Sequence, residues 1–199
     1  MTLDTSPDRR RLMQLSLLAA GASLVSGKAA RAANDLLTEP HVASDAAHDF
    51  DLFYGSWHVK HRRLKERLAG SNEWIEFDGT CQMQPMLGGC GNVDDNVFNF
   101  PPGPFRGISV RAFDPATKNW AIWWLDSRVP SKIDAPVVGT FKDGVGTFLA
   151  DDTFKGKPIK VRYIWSRITR NSREWAQAFS PDGGRTWETN WTSSFTRTA

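Results

Sequence analysis

Cysteine, histidine and tyrosine are scarce in this chain, with two, four and two copies in 199 residues. Each shortage removes a chemistry. The cysteines form no Cys-x-x-Cys-His, which excludes covalently attached haem. His41 and His48 lie in a polar stretch, while His58 and His61 sit three apart on an alternating segment and so face opposite ways. Zinc needs three or four convergent ligands, and no local cluster supplies them, so no metal is expected. No cofactor is expected either, with non-covalent haem on an inward-facing His61 as the alternative. Nucleophilic catalysis finds no Gly-x-Ser-x-Gly and no evident serine–histidine pairing. Gly88-Gly89-Cys90-Gly91 lacks the lysine and the helix of a phosphate loop.

Charge of one sign is missing from the body of the chain. Before residue 33, five of the 25 basic residues stand against only Asp4 and Asp8 of the 22 acidic ones, so residues 33–199 keep 20 of each. A formally neutral body lacks the clustered positive face that neutralises phosphates, and nucleic acid is not an expected partner. Long apolar runs are missing too. Residues 12–27 are uncharged but only 16 long and rich in small side chains, too short to span a bilayer well.

What the first 32 residues do carry is an address. Arg9-Arg10, followed by Leu12-Met13, resembles the twin-arginine export signal, and Lys28 and Arg31 fit that route. Ala30-Arg31-Ala32 offers small residues at the two positions a signal peptidase needs, which places cleavage before Ala33. An ordinary secretory signal and a retained anchor are the alternatives. The expected organisation is a signal peptide over 1–32, a flexible lead-in over 33–49 and one domain over 50–199, periplasmic and without stable membrane insertion after cleavage.

From Phe50 onward, short runs rich in Val, Ile, Phe and Trp alternate with turn chemistry, and no long 3.6-residue period occurs. A short helical turn over 50–54 precedes strands predicted at 55–63, 74–84, 107–113, 120–127, 138–141, 146–151, 159–169, 174–180 and 186–196. Residues 85–106, with paired glycines and Pro101-Pro102-Gly103-Pro104, read as a long irregular loop near a barrel mouth. The predicted class is all-β, an antiparallel up-and-down barrel of about nine strands, an architecture that removes exposed edges.

Gly55-Ser56-Trp57, opening the first strand, resembles the Gly-x-Trp signature of lipocalins and their calycin relatives. That resemblance implies that Trp57 plugs the closed end of the barrel and that Arg197, near the end of the last strand, packs across it. A guanidinium on an indole is worth roughly 0.5–2 kcal/mol. Phe53-Tyr54-Gly55-Ser56-Trp57, Arg111-Ala112-Phe113-Asp114-Pro115, Trp120-Ala121-Ile122-Trp123-Trp124-Leu125-Asp126 and Trp175-Ala176-Gln177-Ala178-Phe179-Ser180 together resemble a family of uncharacterised exported bacterial proteins with lipocalin-like barrels. The resemblance implies a fold and carries no settled activity. Ser180-Pro181-Asp182-Gly183-Gly184-Arg185-Thr186-Trp187 matches the Asp-box of sialidase propellers. One copy makes no propeller, and its expected role is structural, with Asp182 binding turn amides and Trp187 covering the hairpin.

Cys81 and Cys90, nine apart in an oxidising compartment, are expected to form a disulfide or to remain two free thiols. Asp94-Asp95 and Asp151-Asp152 read as solvated turn carboxylates. Nine tryptophans are many for this length, and most must fill the interior. Polar residues share strand faces with them: Arg111 with Phe113, Asp126 with Trp124, Tyr163 with Trp165, and Gln177 with Trp175. If these faces point inward, Arg111, Trp124, Asp126, Tyr163, Trp165 and Gln177 make an aromatic cavity with a few polar groups. Arg111 then meets either an anionic ligand or Asp126 in an ion pair, since an unpaired buried charge is costly. Three functions follow: binding of a small apolar or aromatic molecule, with or without an anionic group; a cofactor-free lyase or isomerase in the same cavity; or an envelope interaction module with a filled barrel.

Overall fold

Period-two alternation dominates the chain after Gly55, and in the computed structural model, which describes residues 45–198, it becomes ten antiparallel strands. They are β1 (Gly55–Leu64), β2 (Trp74–Met86), β3 (Gly91–Phe98), β4 (Phe105–Asp114), β5 (Asn119–Asp126), β6 (Val137–Lys142), β7 (Val145–Phe154), β8 (Lys157–Ser166), β9 (Ser172–Ser180) and β10 (Glu188–Arg197). Each pairs with its sequence neighbour, and β1 pairs with β10, so the sheet closes into an up-and-down barrel with no free edge. The signal peptide and residues 33–44 lie outside the described residues.

One strand more than expected forms because 85–106 is not a loop. β3 pairs along its full length with β2 and with β4, joined to β2 by a 3-10 turn at Leu87–Gly89. Its alternation is inverted relative to an ordinary strand: Asn92 and Asp94 are buried inside, while Val93 and Val97 are only partly covered. Polar residues on the inward face made it read as irregular. Asp94 and Asp95 are accordingly not solvated turn residues. Asp94 is buried, and Asp95 pairs outside with Arg106.

The end of the expected lead-in lies among the described residues. Residues Asp45–His48 and Asp51–Phe53 form two 3-10 turns that enter the barrel end. Phe50 is fully buried, edge-on to Phe53, Trp120 and Phe141, and Trp120 Nε1 donates to the Ala46 carbonyl at 2.9 Å. Trp57 completes this plug. Its Nε1 donates to Phe53 O at 2.8 Å, and the Arg197 guanidinium lies 4.1 Å from its ring, held by the Tyr54, Leu52 and Arg170 carbonyls. A second arginine, Arg173, packs on the same ring at 3.9 Å. It belongs to β9 and not to the turn before it, and it is 2% exposed.

The β9–β10 turn is built on Asp182, which accepts from the amides of Arg185 (3.0 Å) and Thr186 (2.9 Å) and from the Thr186 hydroxyl (2.6 Å). These bonds hold its carboxyl well below the usual carboxylate range. Trp187 Nε1 donates to Gly184 O, closing the hairpin. Cys81 and Cys90 are both free thiols. Cys81 is buried beside Arg173, and burial pushes its thiol up to about 12.

One seam is thin. β5 and β6 pair only at Trp120–Gly139, Ala121–Val138 and Ile122–Val137. Beyond Ile122 the segment between these strands folds back on β5, through a Leu125–Ile133 bridge and an Asp134 amide bond to Trp124 O.

Candidate functional site

The barrel interior is not filled. A packed aromatic core occupies the plugged end, and a smaller cluster of Phe77, Phe98 and Phe105 lines the wall toward the other end. Between them lies a cavity of about 260 Å³. All six residues read from the sequence as ligand-facing line it: Arg111, Trp124, Asp126, Tyr163, Trp165 and Gln177. The register explains this. On β4, Ser109, Arg111 and Phe113 face inward opposite Trp124, Ile122 and Trp120 of β5. Trp124 lies directly against Gly107, where a Cβ would collide with its ring.

Arg111 and Asp126 do not form the expected pair. Arg111 stands opposite Ile122 and Asp126 opposite Gly107, four residues along the strand, or about 13 Å. Arg111 instead pairs with Asp94, Nη2 to Oδ2 at 2.6 Å, with side chains 3% and 5% exposed. Its Nη1 donates to Asn92 Oδ1 at 3.1 Å. Asp94 Oδ1 accepts from the Ser109 amide at 3.0 Å and from Asn96 Nδ2 at 2.6 Å. This network neutralises the cavity floor, so Arg111 offers no unpaired charge to a ligand. Asp126 sits toward the mouth in a two-point pair with Arg128, at 2.9 and 2.5 Å. Burial alone would raise its pKa, but the Arg128 bonds leave it below the ordinary value.

The walls interleave aromatic rings with polar and charged groups, Asp134 and Asp152 among them. Tyr163 stands edge-on to Trp175 at 5.0 Å, and burial pushes its hydroxyl well above the usual phenol range. Gln177 is oriented by Nε2 donation to Asn190 Oδ1 at 2.8 Å. A serine–histidine contact, not evident from the sequence, is also present: Ser193 Oγ lies 2.8 Å from His61 Nδ1. Trp191 Nε1, which can only donate, points at the same nitrogen at 3.4 Å. Nδ1 is therefore the acceptor, and Ser193 donates to it. Burial between Phe77 and Phe98, with His58 nearby, lowers His61 to about 3. A base that weak does not activate a serine.

Three arginines at the mouth also went unread: Arg63, Arg67 and Arg128. For Arg63 the signal was available, since extending the Trp57, Val59, His61 alternation by two residues places it inward at the open end. Arg67 follows the end of β1, where alternation gives no guidance.

A closed, end-plugged up-and-down barrel around an internal aromatic cavity defines a lipocalin-like protein. The chain belongs to the family described as "Protein of unknown function (DUF1579)", whose model matches residues 45–197. No protein of curated function matches the sequence. Among solved structures it is similar to the S-type phycobiliprotein lyase CPES from Guillardia theta, with 13% identity over 75% of this chain and 90% of that one and a TM-score of 0.49. A DUF3598 family protein of unknown function from Nostoc punctiforme shows 12% identity, 75% and 48% coverage, and a TM-score of 0.44; this chain thus spans about half of that one.

Proposed function

We propose that this protein is exported to the periplasm by the twin-arginine route and there binds a small, largely apolar or aromatic molecule inside its barrel. The observation that carries the binding reading is the cavity itself: about 260 Å³, walled by Trp124, Tyr163, Trp165, Trp175 and Trp191, with polar and charged groups between them. Drug-sized sites run to roughly 300–1,000 Å³, so the occupant is small, one or two rings in size. A filled interaction module would have no such space. General acid–base turnover works best with a group whose pKa is tuned toward the working pH. His61 is held at about 3, Asp126 lies below its ordinary value and Tyr163 above its own. Binding without turnover is the better fit.

Calorimetric titration with the neutral probe 2-naphthol tests the reading. The wild type takes up one molecule per chain, and Ser109→Leu, which fills the cavity without touching the Ser109 amide bond to Asp94, abolishes uptake while the fold persists. Equal uptake by both proteins, or none by the wild type, sinks the proposal. For export, the support is Arg9-Arg10 with Leu12-Met13. Replacing both arginines by lysine leaves an unprocessed precursor in the cytoplasm; mature periplasmic product from that variant refutes the route.

A further inference from the structure

The cavity floor is electrically closed, since Arg111 is matched by Asp94. The mouth carries Arg63, Arg67 and Arg128 alongside Asp126, Asp134 and Asp152. Arg128 is matched by Asp126. Among the described residues neither Arg63 nor Arg67 has a carboxylate within ion-pair distance, although Asp126 acts on Arg63, and Glu188 and Glu66 on Arg67, from farther off. Both unmatched groups are fixed by aromatic faces. The Arg63 guanidinium lies 5.2 Å from the Phe100 ring and 5.1 Å from Trp191, and that of Arg67 lies 4.8 Å from Phe154 and 5.3 Å from Phe179.

This arrangement has a cost. Arg63 Nε is buried without a hydrogen-bond partner, and burial, with Arg67 and Arg128 adding like charge, lowers its pKa to about 10. It stays charged at neutral pH nonetheless. A half-buried guanidinium whose nearest acids stand beyond ion-pair distance is better satisfied when an anion meets it directly, and the planar guanidinium fork matches a carboxylate. Arginines serving only solubility would extend their heads into water. Here they are stacked over the entrance to an aromatic chamber.

Resting on the binding reading above, we propose that the ligand is an amphiphilic anion, an aryl or short apolar carboxylate, whose apolar body fills the cavity while its carboxylate docks on Arg63 and Arg67 at the mouth. The anion site therefore lies at the rim and not at Arg111.

The test compares 2-naphthoate with its neutral isostere 2-naphthamide by calorimetry on the full mature chain. The wild type prefers naphthoate by about tenfold or more, a preference that shrinks with added salt. In Arg63→Met and in Arg67→Met, each checked for an unchanged melting transition, that preference falls to within about twofold. Equal affinity of the two probes for the wild type, or a preference intact in both variants, overturns the rim site while leaving the cavity reading standing. Failure of both probes to bind overturns the cavity reading and the rim site together.

Discussion

Arg111 is the residue whose chemistry changed most between sequence and structure. It is inward and central, but Asp94 answers its charge and Asn92 takes a second donor. Removing one partner of a buried pair leaves the other uncompensated, which costs about 3–5 kcal/mol, whereas replacing both by apolar groups is often neutral. Arg111→Met is therefore expected to lose that much stability in urea denaturation, and Arg111→Met with Asp94→Leu to recover most of it. A single variant within 1 kcal/mol of wild type, on the scale of a surface pair, contradicts the network. The partner was not legible because Asp94 sits on a strand whose inward face is polar, and no alternation signal marks such a strand. Arg111, Trp124, Asp126, Tyr163, Trp165 and Gln177 were legible for the opposite reason: each shares a face with tryptophan or phenylalanine on a plainly alternating strand.

Among the elements, the two 3-10 turns before β1 contribute more than their length suggests. Phe50 fills the closed end; the sequence marks a short helical turn over 50–54, while the turn at Asp45–His48 falls within the expected lead-in because so short a segment carries no period. Phe50→Ala truncates a fully buried aromatic side chain and should cost about 3–5 kcal/mol in chemical denaturation. A cost below about 1 kcal/mol, as at an ordinary surface site, shows the turns to be dispensable. Trp57 and Arg197 were legible as a closing pair through their resemblance to the Gly-x-Trp barrels. Arg173 was not, because a buried arginine at the head of β9 looks like a turn residue until β1 and β10 bring Trp57 and Phe195 beneath it at 3.9 and 4.3 Å.

For the molecule as a whole, His61 sets a pH dependence. Its folded-state pKa lies at about 3, below the ordinary 6.5. Above pH 6.5 it is neutral in both states and its contribution is fully present. Between 6.5 and about 3 the unfolded chain takes up a proton that the native barrel refuses, so stability falls with falling pH. His61→Gln, which keeps a partner for Ser193, should flatten the decline in stability between pH 6.5 and 4 relative to wild type. Parallel declines in the two proteins mean that His61 is not buried in neutral form.

A closed barrel has no edge to fray, so any opening must break a ladder. The ladders are unequal. β1 and β2 pair continuously from Gly55–Met83 to Leu64–Trp74, whereas β5 and β6 meet only from Trp120–Gly139 to Ile122–Val137. The least costly breach therefore runs down the wall beside Trp124 and Tyr163, where a second small cavity already adjoins the main one. The closed barrel is thus uneven around its circumference: local unfolding should begin at this seam, and its amides should exchange with solvent before those of β1 and β2.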